Sequence, residues 1–129
     1  MNINCNGNLI DLSTPKVMGI LNVTPNSFYD GGKHKEINSI IHQVDKMLSE
    51  GADFIDIGAY SSKPSAEFVS EEEEIKRLVH IIKELVETFP TIILSVDTFR
   101  ANVAKASVEK GVAMVNDISA GLLDEKMLE

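Results

Sequence analysis

The sequence predicts an α/β protein built on a parallel sheet of βα units, and three patterns support this. Short apolar runs that suit strands alternate with longer segments whose apolar residues recur at helical spacing. The strand segments are continuously apolar, which is typical of strands covered on both faces. One helical segment separates each strand from the next, as right-handed crossovers between parallel strands require. These patterns leave two closures open, a doubly wound sheet or part of a TIM (β/α)8 barrel, which needs about 250 residues.

The N-terminal elements are predicted from turn and periodicity signals. Residues 3–11 alternate weakly around an Asn-Gly pair, which predicts a small hairpin that plugs or caps the fold. The first core strand is expected at about residues 16–20, followed by a polar loop over residues 22–32. A helix ending at Gly51 comes next. Its apolar stripe consists of Ile37, Ile40, Ile41, Val44, Met47 and Leu48.

The remaining elements repeat this alternation. Ser70 with Glu73 three residues later forms a capping box, so the second helix begins there, after a polar loop over residues 59–69. Residues 122–129 are expected to begin a fourth helix, and residues 1–129 to form one partial domain whose strands and helices occupy about 16–121. The other predicted elements are strands at about 54–57, 91–96 and 112–115 and a helix at about 101–110.

Polar side chains recur where the predicted strands end. Asn22, Asp97, Asn116 and Asp117 lie at or just past these ends. Asn and Asp at such positions often only start turns or cap the next helix. Because the carboxyl ends of parallel strands share one edge, however, four such residues in the same phase predict a shared pocket.

Composition excludes several classes of function. The net charge is −8 and the sequence contains no basic patch, which argues against nucleic acid or an anionic membrane as the main partner. The single cysteine, Cys5, fits a reducing compartment, and no signal peptide or membrane-length apolar run is evident, so we expect a cytoplasmic protein. The sequence gives no support for a nucleophile triad or for a zinc site. It also contains no Rossmann or Walker phosphate-binding motif.

The chemistry that remains is carboxylates, amides, hydroxyls, glycine-rich loops and Lys63. Carboxylate and amide groups can hydrogen-bond a flat heterocycle. Oxygen ligands and a lysine can hold a phosphate group together with a magnesium ion. The sequence therefore favours a site for a heterocycle and a phosphate.

Three segments resemble the signatures of dihydropteroate synthase, a pterin-binding family. They read GILNVTPNSFYDGG, GADFIDIGAYSSKPSAEFVSEEEEIKRL and SVDTFRANVAKASVEKGVAMVNDISAG, in the family's order and spacing. The resemblance implies a (β/α)8 barrel that condenses 6-hydroxymethyl-7,8-dihydropterin pyrophosphate with 4-aminobenzoate. The products in this family are 7,8-dihydropteroate, used in folate biosynthesis, and pyrophosphate, and sulfonamides compete for the aminobenzoate site.

The resemblance also implies residue roles. Asn22 would bind Mg²⁺ and pyrophosphate, and Asp97 and Asn116 would bind the pterin beside an apolar wall at Ile118. Asp97 and Lys63 would be the catalytic residues, because they stabilise the cationic pterin and the departing pyrophosphate. Two loops would close over the site and contact pyrophosphate and aminobenzoate, one with Ser27, Phe28 and Asp30 and the other with Ser62, Lys63 and Pro64.

The chain departs from the family pattern in sequence and in length. Ser62-Lys63 replaces the usual Thr-Arg, and lysine lacks the bidentate fork that matches phosphate. With 129 residues the chain resembles the N-terminal half of a synthase, so we expect it to be inactive by itself. We expect these residues to self-associate through open strand edges, and the full-length protein to be a homodimer.

Two other functions stay open at this point. One is another pterin-binding barrel, such as a methyltetrahydrofolate methyltransferase domain, which needs no pyrophosphate site. The other is a small non-enzymatic α/β binding module, complete at this length, which gives no reason for two long polar loops.

Overall fold

A computed structural model describes residues 1–23, 32–59 and 70–129, with the side chains of residues 32–35 excepted. It begins with an antiparallel hairpin of β1, Asn2–Cys5, and β2, Asn8–Asp11. Asn6 and Gly7 form the turn with φ angles of 51° and 85°, the left-handed region that this pair favours. The Asn6 side chain donates a hydrogen bond of 2.9 Å to the Gly111 carbonyl, which ties the hairpin to the turn that precedes the last strand.

A parallel sheet forms the centre of the described residues. Its strands lie in the order β3 Met18–Asn22, β4 Phe54–Gly58, β5 Leu94–Asp97 and β6 Met114–Asn116. Each strand is hydrogen-bonded to the next one along the chain, with one helix between them. This arrangement confirms the predicted βα units and places all four carboxyl ends at one edge. The helices are α1 Gly32–Ser49, α2 Glu71–Thr88 and α3 Ala101–Glu109.

The core lies between the helices and one face of this sheet. The strands contribute alternate residues such as Leu21, Ile57 and Val96, and the helices contribute residues such as Val44 and Ile82. Each of these five side chains is at most 1% exposed. The apolar stripe predicted for α1 packs into the same core, which confirms its helical periodicity.

The opposite face of the sheet confirms one expectation for β4 and corrects it for β3. The continuously apolar strands predict cover on both faces, and β4 is buried along its whole length, but Ile20 on β3 is 62% exposed and Met18 is 40% exposed. Among the described residues the helices cover one face only. The apolar pattern does not reveal this, because Ile20 is as apolar as its buried neighbour Leu21.

Hydrogen-bonded caps fix the helix boundaries. Ser70 accepts a hydrogen bond of 3.3 Å from the Glu73 backbone N–H, as the capping box predicts. The first backbone N–H of α3, at Ala101, donates to the Asp124 carboxylate at 2.7 Å. This bond satisfies a helix N-terminus with a residue from a distant turn.

The expected start of a fourth helix at residues 122–129 is a short 3-10 turn, Glu125–Leu128. Ala120 and Gly121 have φ angles of 54° and 84°, which are incompatible with a right-handed helix. Asp124 is extended and caps the turn by accepting from the Lys126 backbone N–H at 3.1 Å.

No helix in residues 1–23, 32–59 and 70–129 is long and apolar enough to cross a membrane.

Candidate functional site

Four residues form a row across the carboxyl ends of the sheet strands. Asn22 is paired in register with Gly58, and Asp97 with Asn116. A Cβ atom placed on Gly58 would lie 3.5 Å from the Asp97 Cβ and 3.9 Å from the Asn22 Oδ1, so the two pairs are adjacent. The structure therefore brings together three of the four polar residues that the sequence placed at one edge. Gly58 has no side chain, and a methyl group there would be in ordinary van der Waals contact with both Asn22 and Asp97.

A second row lies two residues earlier on the strands and therefore on the same face. It contains Asp56 and Ser95, which are paired in register and are 4% and 1% exposed. The Asn116 Nδ2 donates a hydrogen bond of 3.1 Å to the Asp56 Oδ2, which joins the two rows. The Asp56 Oδ1 and the Ser95 Oγ are buried and have no hydrogen-bond partner among the described residues.

Asp56 is not among the predicted site residues, because it lies inside an apolar strand rather than after it. The signal was available, since a carboxylate two positions before the strand-ending Gly58 must share the face of that strand end. A charged residue within an otherwise apolar strand is rarely buried without a partner. That combination marks Asp56 as part of the site.

The electrostatics of the site are dominated by carboxylates. Burial raises the pKa of Asp97 above its usual value, and the neighbouring charges of Asp56 and then Asp117 raise the pKa further. An ionised carboxylate only accepts hydrogen bonds. The arrangement therefore suits a ligand that presents N–H donors or develops positive charge.

The carboxylate of Asp117 is used within its own loop. Its Oδ1 accepts from the backbone N–H and hydroxyl of Ser119 at 2.8 and 2.7 Å, and its Oδ2 accepts from the Gly121 backbone N–H at 2.9 Å. Desolvation acts to raise the pKa of Asp117, but these hydrogen bonds from Ser119 and Gly121 lower it overall. Ile118, between these residues, is 73% exposed.

A buried ion pair supports the loop that follows Asp97. Arg100 Nη1 lies 2.9 Å from Glu74 Oε1, and the Thr98 hydroxyl accepts from the Arg100 backbone N–H at 3.1 Å. Burial raises the pKa of Glu74, against the opposing effects of Thr98 and Arg100. The pair links the first turn of α2 to the loop between β5 and α3.

The two predicted covering loops lie outside the described residues. This applies to Ser27, Phe28 and Asp30 and to Ser62, Lys63 and Pro64. Their roles therefore stay predictions. Within residues 1–23, 32–59 and 70–129, no group of three or more His, Cys, Asp or Glu residues could hold a metal ion.

The chain belongs to the pterin binding enzyme family, whose profile matches residues 18–129. It is 42% identical over 112 residues to the dihydropteroate synthase of Streptococcus pyogenes, covering 87% of this chain and 42% of that protein. It is 48% identical over 116 residues to a mitochondrial folate synthesis bifunctional protein of Pisum sativum, covering 88% of this chain and 22% of that protein. The chain thus spans less than half the length of these curated relatives.

Solved structures agree with the family assignment. The dihydropteroate synthase of Xanthomonas albilineans with 4-aminobenzoic acid matches with a TM-score of 0.85 at 40% identity, covering 97% of this chain and 46% of that one. The Yersinia pestis enzyme with a sulfonamide drug complex matches with a TM-score of 0.84 at 43% identity, covering 99% and 46%. Of the two closures that the sequence left open, the fold is therefore that of part of a TIM barrel.

Proposed function

We propose that the protein is a dihydropteroate synthase. It would condense 6-hydroxymethyl-7,8-dihydropterin pyrophosphate with 4-aminobenzoate to give 7,8-dihydropteroate and pyrophosphate. The observation that carries this proposal is the row of Asn22, Asp97 and Asn116 at the carboxyl edge of the sheet. The similar Xanthomonas albilineans synthase was solved with 4-aminobenzoic acid, which supports the choice of substrate.

The pterin would bind to Asp97 and Asn116. The edge of a pterin alternates hydrogen-bond donors and acceptors, and a carboxylate beside a carboxamide can match such an edge. Positive charge grows on the pterin methylene as its bond to pyrophosphate breaks. The carboxylate of Asp97 would stabilise that charge while the aniline nitrogen attacks. Ile118, which is 73% exposed, would supply an apolar wall for the ring.

Pyrophosphate would bind beside Asn22 together with Mg²⁺. The Asn22 side-chain oxygen, at the strand end next to Gly58, would be the protein ligand of the ion. A single amide oxygen suits Mg²⁺, which commonly takes one or two protein ligands together with substrate phosphates and water. The ion would supply charge neutralisation for the departing pyrophosphate. Ser62 and Lys63 would contact the same group.

The oligomeric state and the location are also proposals. Ile20 and Val115, on the two outer strands of the sheet, are 62% and 41% exposed. Exposed apolar residues on outer strands support self-association of these 129 residues when they are produced alone. We expect that piece to be inactive, the complete gene product to be a homodimer, and its location to be cytoplasmic.

Turnover of the complete gene product tests the proposed function. The protein is incubated with the pterin pyrophosphate, 4-aminobenzoate and Mg²⁺, and dihydropteroate is measured by chromatography. We expect product from the wild type, at least about tenfold less from Asn116→Ala because a substrate hydrogen bond is lost, and unchanged turnover from Asn38→Ala, an exposed residue of α1. Binding of methyltetrahydrofolate without formation of dihydropteroate would overturn the proposal in favour of the methyltransferase alternative.

A further inference from the structure

The orientation of the Asn116 carboxamide determines what this residue can recognise. One end of the group donates two hydrogen bonds and the other end accepts them. The Nδ2 end donates to the Asp56 Oδ2 at 3.1 Å, across 60 positions of sequence. An ionised Asp56 can only accept, so it pairs with the donor end and not with the acceptor end. The Asn116 Oδ1 is then the end that remains for a ligand.

We propose that Asp56 is a positioning residue that holds the Asn116 carboxamide with its acceptor toward the ligand. The identity of that ligand as a pterin rests on the proposed function. The positioning role itself rests on the hydrogen bond between Asn116 and Asp56 and on the 4% exposure of Asp56. It also rests on the position of both residues in the sheet whose strand ends form the candidate site. A ligand must then offer an N–H donor to Asn116, which makes Asp56 a determinant of specificity without contact to the substrate.

The position of Asp56 argues against a purely structural role. Burying a carboxylate is costly unless its oxygens are hydrogen-bonded, and the Asp56 Oδ1 has no partner among the described residues. Its Oδ2 accepts the hydrogen bond from Asn116. The one side-chain hydrogen bond of this buried carboxylate within the described residues is therefore the bond that orients Asn116.

A pair of substitutions separates the hydrogen bond from the charge. Asp56→Asn retains an oxygen that can accept from Asn116, whereas Asp56→Ala removes the acceptor. Binding of 6-hydroxymethylpterin to the complete gene product is measured by calorimetry. We expect Asp56→Ala to weaken binding about tenfold or more, because Asn116 loses the partner that orients it, and Asp56→Asn to restore binding to within about threefold of wild type.

Two further variants identify the route of the effect. Ser107→Ala removes a buried hydroxyl of α3 that lies outside both rows and should leave binding unchanged. In an Asn116→Ala background, Asp56→Ala should have no further effect, because the group it orients is gone. An equal loss in both backgrounds, or an equal loss from Ser107→Ala, would overturn the positioning role.

Side-chain amide NMR tests the inference without any ligand. The Asn116 amide resonances, assigned by their loss in Asn116→Ala, should be well separated in wild type and Asp56→Asn. They should collapse toward the values of a free amide in Asp56→Ala. Unchanged Asn116 resonances in Asp56→Ala would overturn the inference. If wild type does not bind the pterin, the proposed function fails, whereas the amide resonances still decide the positioning role.

Discussion

Arg100 and Glu74 form a buried ion pair, with 2.9 Å between Nη1 and Oε1 and side chains that are 10% and 1% exposed. The pair joins α2 to the loop that follows Asp97. Removing one partner of a buried pair leaves an uncompensated charge in the interior. The loop behind the candidate site therefore depends on a contact that lies outside the site.

We expect Glu74→Ala to lower the free energy of unfolding by about 3–5 kcal/mol, the usual cost of stranding one member of a buried pair. The matched control is Glu73→Ala. Glu73 is 63% exposed and lies 3.6 Å from Arg77, so its loss should cost less than about 1 kcal/mol. Urea denaturation measures both. Equal losses of unfolding free energy from the two variants would show that the buried pair contributes no more to stability than the exposed one.

Asp97→Asn should stabilise the protein at neutral pH. The pKa of Asp97 is raised by burial and by the charges of Asp56 and Asp117. The folded protein therefore binds this proton more tightly than the unfolded chain, and stability falls as pH rises from 3.8 through the raised folded pKa. The variant lacks this loss, so its advantage should be largest above the folded pKa and should vanish below 3.8.

Asp11→Asn is the control with the opposite sign. Hydrogen bonds from the backbone and side chain of Ser13 lower the pKa of Asp11. The stabilisation from Asp11 is thus present above 3.8 and is lost as pH falls through the lower folded value. The free energy of unfolding is measured across pH for both variants. As pH rises, Asp97→Asn should become more stable than wild type and Asp11→Asn less stable. A change of the same sign in both variants would contradict the directions of the two pKa shifts.

Ala120 and Gly121 should respond oppositely to exchange of alanine and glycine. Both have left-handed φ angles, 54° and 84°. Ala120→Gly removes strain and should stabilise by up to about 1 kcal/mol, whereas Gly121→Ala should destabilise by about 1–2 kcal/mol. A Cβ on Gly121 would also approach Leu128 to 3.2 Å. Thermal denaturation of both variants tests this, and shifts of the same sign would contradict it.

Gly58→Ala should impair ligand binding while sparing the fold. A Cβ at this position meets Asp97 and Asn22 at ordinary contact distances of 3.5–3.9 Å, so the methyl group fits but fills the space between them. Gly19→Ala is the contrasting variant, because its Cβ would lie 2.8 Å from the Met47 Sδ and 3.2 Å from the Ile55 Cδ1. We expect Gly19→Ala to cost about 1–3 kcal/mol of stability. Stability and pterin affinity are measured for both variants. Gly58→Ala should lower the affinity and keep the stability, whereas Gly19→Ala should lower the stability.

The order of strands and helices is predictable from the sequence because apolar periodicity and turn residues are local signals. The capping box at Ser70 and Glu73 is an example, since both partners lie within four residues. The row of Asn22, Asp97 and Asn116 follows from the geometry of parallel strands. Strand boundaries are less accurate: the sequence predicts the first core strand at about 16–20, whereas β3 runs from Met18 to Asn22.

Long-range partners cannot be predicted in the same way. Arg100 pairs with Glu74 across 26 positions, and Asp124 caps α3 through Ala101 across 23 positions. Neither pairing leaves a pattern in the local sequence. Where the sequence predicts the start of a fourth helix, at 122–129, the structure has a 3-10 turn capped by Asp124.

A crystal structure of the complete gene product with 6-hydroxymethylpterin most directly tests the claim that these strand ends form one binding pocket. We expect ring nitrogen or oxygen atoms of the pterin within about 3.2 Å of both Asp97 and Asn116, a normal hydrogen-bond distance. A pterin bound elsewhere, with Asp97 and Asn116 untouched, would contradict it.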